Sequence, residues 1–157
     1  KKQIIIGSSM GGWMAMKCAL ERKERVKALI GIAPAPDFVD KIYQNMLTDE
    51  HRQTLEREGK VVIPSGYEDP YIITQTLLDD GRTQYVMDPF ESVPIHCPVR
   101  IIQGMNDTSV SYQRSLEVMQ KLESNDVQVI LKKDGDHSMS SDSSLKLLSD
   151  TLLDMLS

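Results

Sequence analysis

The sequence has few of the side chains on which disulfide-rich and metal-binding proteins depend. Its 157 residues include only two cysteines and three histidines, and aromatic residues make up 5%. Two cysteines do not form a disulfide framework in a chain of this length, so we interpret them as reduced thiols in a reducing compartment. The histidines have no metal-ligand spacing with one another or with the cysteines, so we expect no metal site. These residues are Cys18, Cys97, His51, His96 and His137.

Basic residues and long apolar runs are also scarce. The 18 Lys and Arg against 23 Asp and Glu give a formal net charge of −5. Nucleic-acid binders need clustered basic side chains, so no nucleic-acid partner is expected. The longest apolar stretch, residues 28–35, is far shorter than the ~20 residues of a membrane-spanning helix, so no membrane span is expected. The remaining composition, 40% hydrophobic and 26% charged, is that of a folded single domain.

Apolar runs and helical patterns alternate along most of the chain. The run 26–33 is nearly continuously apolar, which is typical of a strand covered on both faces in a parallel sheet. We therefore predict an α/β fold, with a mostly parallel sheet and helices on both faces. The predicted strands are 4–6, 26–33, 99–103 and 127–131, and the predicted helices are 11–22, 109–122 and 143–156.

The stretch 34–98 interrupts this alternation. It has a charged helical pattern over 37–60 and a helical or mixed pattern over 71–86, and no strong buried strand is expected in it. Connections within a domain are rarely longer than about 15 residues, and longer ones often bind ligands or cover sites. We predict that 34–98 is a helical lid or cap inserted into a single domain spanning 1–157.

The most informative motif follows the first predicted strand. Gly7-Ser8-Ser9-Met10-Gly11 has the pattern G-x-S-x-G between a strand and a helix, where a nucleophilic serine stands on a sharp, strained turn. Gly7 and Gly11 are expected to prevent collisions on either side of Ser9. Gly12 is expected to let the helix pack closely, and the backbone N–H of Met10 to point at a developing oxyanion.

Other interpretations of these glycines remain open. The segment could be an ordinary loop, or a phosphate cradle at a helix N-terminus, although the Gly-Lys-Ser/Thr of a Walker-type loop is absent. Ser8 is a second hydroxyl in the turn, but only Ser9 has glycines two positions away on both sides.

A serine nucleophile needs a base, and the base needs an orienting acid. Asp107 follows the strand 99–103 and His137 follows the strand 127–131, in the chain order Ser, Asp, His that this turn motif requires. Because parallel strands end at the same edge of a sheet, we expect Ser9, Asp107 and His137 to converge there. Asp134 and Asp136 are rival acids in the histidine loop.

With these residues the sequence resembles the α/β-hydrolase superfamily at its nucleophile, acid and base positions. The closer resemblance is to the α/β-hydrolase-domain group of mitochondrial palmitoyl-protein thioesterases, also described as acyl-glucuronide esterases, and to its bacterial relatives. The resembling segments are GSSMGGW (7–13), VKALIGIA (26–33), CPVRIIQGMND (97–107) and VQVILKKDGDH (127–137).

The resemblance implies cleavage of a small acyl-ester or acyl-thioester substrate, without a cofactor, by Ser9, Asp107 and His137, with Met10 supplying one oxyanion donor. It also implies a location in the bacterial cytoplasm or the mitochondrial matrix rather than secretion. Two alternatives stay open: an amide-cleaving peptidase with the same triad, and a non-catalytic binding or scaffold domain.

Two further expectations follow from the resemblance. Family members carry several strands, and the loop with the second oxyanion donor, before the nucleophile strand, so we expect this chain to be part of a longer polypeptide. Apolar side chains of the predicted lid are candidates for an acyl pocket or for packing within the lid, namely Phe38, Ile42, Met46, Ile72, Ile73, Leu77 and Leu78.

Overall fold

The structure is a computed structural model that describes residues 1–65, 69–88 and 90–156. It divides into two compact units: Lys1–Pro36 together with Val86–Ser157, and Asp37–Tyr85. The second unit lies within the predicted insertion 34–98, whose role as a lid stays a prediction. Residues 66–68 and 89 of that insertion lie outside the described residues.

The described elements alternate as the sequence predicts in the first unit and differ from prediction in the second. In chain order they are β1 (Gln3–Ser8), α1 (Met10–Glu21), β2 (Val26–Ile32), α2 (Val39–Lys41), a π-helical turn (Ile42–Met46), α3 (Asp49–Glu58), β3 (Lys60–Ile63), β4 (Tyr71–Thr74), α4 (Gln75–Arg82), β5 (Val99–Gly104), α5 (Tyr112–Lys121), β6 (Val127–Lys132) and α6 (Asp142–Leu156).

The first unit contains a sheet of order β1-β2-β5-β6 in which all three strand pairings are parallel. Ala28, Ile30 and Ile102 point to one face, where they pack with Met155 of α6. Leu29 and other residues of β2 and β5 point to the opposite face, toward α1 and α5. Helices therefore cover both faces, which confirms the predicted fold class and explains why β2 is apolar except at Lys27.

The C-terminal end of α6 is held by a lysine from the sheet. Lys27 Nζ donates to the carbonyl oxygens of Met155 (3.0 Å) and Leu156 (3.1 Å). The last carbonyls of a helix have no intrahelical partner and carry the negative end of the helix dipole, so an ammonium group stabilises them. This contact joins the start of β2 to the end of the chain's last helix.

We expect Lys27→Met to lower the free energy of unfolding by about 1 kcal/mol, because it removes both donors while keeping an apolar stem. The control is Lys146→Met, which removes the exposed pair with Asp150 on the same helix and is expected to cost about 0.3–0.5 kcal/mol. Chemical denaturation of the two variants measures the difference. Equal effects would show that the α6 carbonyls gain nothing from Lys27.

The second unit contains a two-stranded antiparallel sheet that the sequence analysis did not predict. β3 pairs with β4, so that Val62 lies opposite Ile72, while Val61, Ile63 and Ile73 are buried. No strong buried strand was expected here from the sequence, and both strands are short and partly exposed, but β3 itself was not predicted. The overlooked signal is the β-branched run Val61-Val62-Ile63, bounded by a glycine and a proline.

The charged helical pattern over 37–60 is likewise divided into shorter elements. Thr48 starts α3 with a capping box, in which its Oγ1 accepts from the N–H of His51 and its own N–H donates to His51 Nδ1. Gly59 ends α3 in the left-handed conformation at φ 72°. Apolar residues of this unit differ in burial: Ile42, Ile73 and Leu78 are buried, whereas Met46 and Ile72 are exposed.

Candidate active site

Ser9 occupies a strained turn between β1 and α1. Its backbone has φ 52° and ψ −119°, a combination that residues other than glycine rarely adopt. The turn is held on both sides, because Ser9 N–H donates to Ile32 O (2.8 Å) and Ser9 O accepts from the N–H groups of Gly12 (2.9 Å) and Ala35 (3.0 Å). The hydroxyl is therefore presented beyond the end of the sheet by backbone bonds to the neighbouring strand.

The three glycines near Ser9, at positions 7, 11 and 12, have different steric environments. A Cβ at Gly7 would lie 2.1 Å from Gly11 O, and one at Gly12 would lie 2.7 Å from the Cβ of Pro34. A Cβ at Gly11 would meet no described atom within 4 Å. The collision expected at Gly11 is thus absent. Gly7 needs to be glycine because the backbone of Gly11 approaches it. Gly12 lies close to β1, as expected, since a Cβ there would be 3.3 Å from Gly7 O, and it also packs against Pro34, two residues after β2.

Met10 is the first residue of α1, where backbone N–H groups have no intrahelical acceptor. Its side chain is 41% exposed. The backbone N–H of Met10 belongs to the residue directly after Ser9 and lies at the N-terminus of α1, which is the positive end of the helix dipole. The predicted role as an oxyanion donor stays a prediction, and this position is compatible with it.

The three residues predicted to form a triad meet at the carboxyl edge of the sheet. His137 Nε2 lies 3.0 Å from Ser9 Oγ, and His137 Nδ1 lies 2.8 Å from Asp107 Oδ2. Both are hydrogen-bond distances. An imidazole in this position can accept the serine proton at one nitrogen while the carboxylate orients it at the other.

Asp107 is fully buried at its side chain, which has no exposed area. Its Oδ1 accepts from the backbone N–H groups of Ser109 and Val110, both at 2.8 Å. Its Oδ2 accepts from Gln103 Nε2 (2.9 Å) as well as from His137. Through Oδ1 the carboxylate holds the backbone of residues 107–110 in a turn. Because of this turn, α5 begins after Ser111 rather than at the predicted residue 109.

The loops that carry Asp107 and His137 are joined through their backbones. Met105 N–H donates to Lys132 O and Asn106 N–H donates to Gly135 O, both at 2.9 Å. A Cβ at Gly104 would lie 2.3 Å from Gly135 O and 2.5 Å from Asp136 O. The end of β5 and the loop after β6 are thus in direct contact, and this contact sets the separation of Asp107 and His137.

We expect Gly104→Ala to slow the reaction of Ser9 with a fluorophosphonate probe by about 10- to 100-fold. The new methyl group faces backbone atoms, so the histidine loop must move by a fraction of an ångström to an ångström. The measurement is the second-order labelling rate. Lys133→Ala is the control, because it changes an exposed side chain of the same loop without altering the backbone contact. Labelling of Gly104→Ala at the wild-type rate would contradict the proposed role of this contact.

The rival acids make other bonds. Two hydrogen bonds hold the pKa of Asp136 below its usual range. The larger effect comes from the backbone N–H of Met139 and the smaller one from the Ser138 hydroxyl. A hydrogen bond from the Lys132 side chain does the same for the pKa of Asp134. Their recorded bonds stabilise the loop around His137, whereas the bond to the imidazole itself comes from Asp107.

The other histidines lie in different settings. His51 caps α3, as described above, and His96 Nδ1 lies 3.8 Å from Glu123 Oε2. Within the described residues, no group of three or more His, Cys, Asp or Glu is arranged to hold a metal ion. None of the helices described is both long and apolar enough to cross a membrane.

Gln103, a fully buried glutamine near the end of β5 that bonds to Asp107, was not predicted from the sequence. The sequence does show that a single amide side chain, Gln103, follows the apolar residues Ile101 and Ile102 of that strand. Buried polar groups need partners, so a glutamine in such a position indicates a polar network in the core.

Comparison with known proteins places this geometry in a family. The model of the prolyl oligopeptidase family matches residues 1–155. The mitochondrial palmitoyl-protein thioesterase of Mus musculus is 38% identical over 156 residues, which are 98% of this chain and 52% of that protein. The chain therefore spans about half the length of the curated relatives it matches.

Two solved structures are similar to most of the chain. A putative hydrolase from Agrobacterium vitis S4 has a TM-score of 0.91 at 35% identity, over 99% of this chain and 62% of that one. Mouse alpha/beta hydrolase domain-containing protein 10 has a TM-score of 0.81 at 38% identity, over 99% of this chain and 63% of that one. These similarities confirm the α/β-hydrolase fold and the resemblance predicted from the sequence.

Proposed function

Since the chain belongs to the prolyl oligopeptidase family, we propose that it carries the catalytic centre of a serine hydrolase that cleaves acyl esters or thioesters. The observation that supports this most directly is the continuous relay from Ser9 Oγ through His137 to Asp107, at 3.0 and 2.8 Å. A serine hydroxyl is a weak nucleophile by itself, and a base within hydrogen-bond distance activates it.

In the proposed acylation step, Ser9 Oγ attacks the carbonyl carbon of the substrate while His137 Nε2 accepts the hydroxyl proton. Asp107 keeps the proton of the imidazole on Nδ1 and stabilises the imidazolium that forms. The carbonyl oxygen becomes an oxyanion, for which the N–H of Met10 is the proposed donor from this chain. Collapse of this intermediate expels the alcohol or thiol, to which His137 returns the proton.

In the proposed deacylation step, water replaces the departed group. His137 Nε2 accepts a proton from the water as its oxygen attacks the acyl-serine carbonyl carbon. The same imidazole then returns the proton to Ser9 Oγ as the carboxylic acid leaves. The cycle ends with the free Ser9 hydroxyl restored.

We infer the ester or thioester class from two considerations. The similar mouse protein is named a palmitoyl-protein thioesterase. A thiolate or alkoxide is also a better leaving group than an amide nitrogen, which must be protonated before it departs. Peptide cleavage by the same residues is the competing outcome, and the name of the matching family gives a reason to measure it.

The test is a fluorophosphonate labelling experiment combined with a substrate panel. We expect a single adduct on Ser9, located by peptide mass spectrometry, and turnover that is fastest with acyl thioesters or p-nitrophenyl esters. Faster turnover of amino-acid amides would favour a peptidase. Absence of an adduct and of turnover in the full-length protein would favour a non-catalytic binding domain.

We also propose a reducing compartment as the site of action. Cys18 and Cys97 are free thiols, and Cys18 is exposed on α1. Persistent exposed thiols are typical of reducing compartments. The similar mouse protein is named as mitochondrial. Localisation of a fluorescently tagged full-length protein tests this proposal, and export through the secretory route would contradict it.

A further inference from the structure

Gln103 connects the proposed catalytic acid to the core of the first unit. Its side chain is completely buried at the end of β5. Its Nε2 lies within hydrogen-bond distance of Asp107 Oδ2 (2.9 Å) and of the carbonyl oxygens of Gly104 (3.1 Å) and Val110 (3.2 Å). Its Oε1 accepts from the hydroxyl of Ser115 (2.8 Å), a fully buried residue of α5.

These partners allow only one orientation of the Gln103 amide. The nitrogen faces three acceptors, and the oxygen faces a hydroxyl that can donate. If the amide were rotated by half a turn, its oxygen would face a carboxylate and two carbonyls, leaving buried acceptors without donors. Burying unsatisfied polar groups is costly, so the network holds the amide in this orientation.

The hydrogen bond from Gln103 restricts the rotation of the Asp107 carboxylate. Rotation of an aspartate carboxyl about its last side-chain bond is soft, because such torsions have broad minima. The backbone N–H groups of Ser109 and Val110 hold Oδ1, while Gln103 holds Oδ2 from the side of the core. Oδ2 is also the oxygen that contacts His137.

We propose that Gln103 is a positioning residue, which holds the Asp107 carboxylate so that Oδ2 stays aligned with His137 Nδ1, and that Ser115 acts on the site only through Gln103. This inference rests on the proposed function, because it assigns Asp107 to the catalytic relay. The hydrogen bonds of Gln103 go to Asp107, Gly104, Val110 and Ser115, and so reach the imidazole only through Asp107.

The first test compares Gln103→Met with the wild-type protein. Methionine keeps the length of the side chain and removes the amide. We expect turnover per active site to fall by about 10- to 100-fold with KM unchanged, because only the alignment of the relay is altered. End-point fluorophosphonate titration gives the concentration of competent sites, so loss of folded protein does not mimic the effect. Thr151→Val is the matched control, since it deletes a buried hydroxyl that donates within α6 (to Leu147 O, 2.8 Å).

The second test is a double-mutant cycle. Ser115→Ala is expected to lower turnover by about 2- to 10-fold in the wild-type background, because it frees one end of the Gln103 amide. In the Gln103→Met background the same substitution is expected to have little effect, since Ser115 has lost the group through which it acts. Additive effects would overturn the assigned role of Ser115.

A third measurement separates this inference from the proposed function. Proton NMR of the His137 Nδ1–H resonance reports its hydrogen bond to Asp107 whether or not the protein hydrolyses a substrate. We expect this resonance to shift or broaden in Gln103→Met and to stay unchanged in Thr151→Val. Absence of turnover in wild-type protein would reject the proposed function alone. An unchanged resonance in Gln103→Met, or turnover per site within twofold of wild type, would overturn the role of Gln103.

Discussion

Replacing Ser9 with alanine is expected to lower kcat by about 10⁴- to 10⁶-fold and to abolish fluorophosphonate labelling. The substitution removes only the Oγ atom, 3.0 Å from His137 Nε2, and keeps the Cβ that the strained turn already accommodates. The free energy of unfolding should therefore stay within about 0.5 kcal/mol of wild type. Steady-state kinetics with an acyl thioester, together with chemical denaturation, measure both quantities.

Ser8→Ala is the matched control for this experiment. It deletes the same hydroxyl one position earlier, at the exposed last residue of β1. We expect its kcat and labelling to equal those of wild type. If instead the adduct formed on Ser8, or Ser9→Ala kept more than about one hundredth of the activity, Ser9 would not be the nucleophile and the relay would have another purpose.

Gly7→Ala should have the largest effect on the shape of the turn. The added methyl group would lie 2.1 Å from Gly11 O and 2.5 Å from Gly11 C, which are backbone atoms at the start of α1. They cannot move without displacing Ser9 and Met10. We expect the free energy of unfolding to fall by about 2–3 kcal/mol, and kcat to fall by about 100-fold or more. Urea denaturation measures the first effect, and steady-state kinetics normalised by active-site titration measure the second.

Gly11→Ala is the informative counterpart, because both substitutions add one methyl group to the same motif. The new methyl group would have open space around it, and alanine stabilises helical backbone relative to glycine by about 0.5–1 kcal/mol. We therefore expect Gly11→Ala to be neutral or slightly more stable than wild type. Similar destabilisation by both variants would show that the flanking glycines are equivalent and that the steric account of Gly7 is incomplete.

Local patterns predicted the frame of the site because the relevant physics is local. The apolar, largely β-branched runs of β1, β2, β5 and β6 indicate strands, and parallel strands must end at one edge of the sheet. The strand–turn–helix context singles out Ser9, and the chain order then selects Asp107 and His137. Their convergence was predictable without knowing any distance.

Contacts between distant residues were not predictable in the same way. The collision expected at Gly11 depends on the path of the backbone after Ser9, and that path brings Gly11 O to Gly7 while leaving Gly11's own Cβ position open. The bonds that turn the Asp136 carboxylate toward the N–H of Met139 likewise depend on the path of the loop around His137. A sequence pattern contains no information on such orientations beyond their residue types.

The second unit shows the same limit at the level of whole elements. A long charged pattern predicted helix over 37–60, but Thr48 and Gly59 divide it, and β3 then pairs with β4. Caps and β-branched triplets are visible in the sequence. Whether such a triplet forms a strand or continues a helix depends on the presence of a second strand to pair with it. That second strand, β4, begins at Tyr71.

By itself the sequence determined the class of fold, the strand that ends at Ser9, and the identity and order of the hydroxyl, carboxylate and imidazole. These follow from side-chain periodicity and turn chemistry, which act over a few neighbouring residues. The tertiary structure alone decided that Gln103 bonds to the Asp107 carboxylate and to Ser115, that Gly104 lies against the histidine loop, and that a side chain would collide at Gly7 but not at Gly11. Those features depend on atoms brought within a few ångströms by the packing of distant segments.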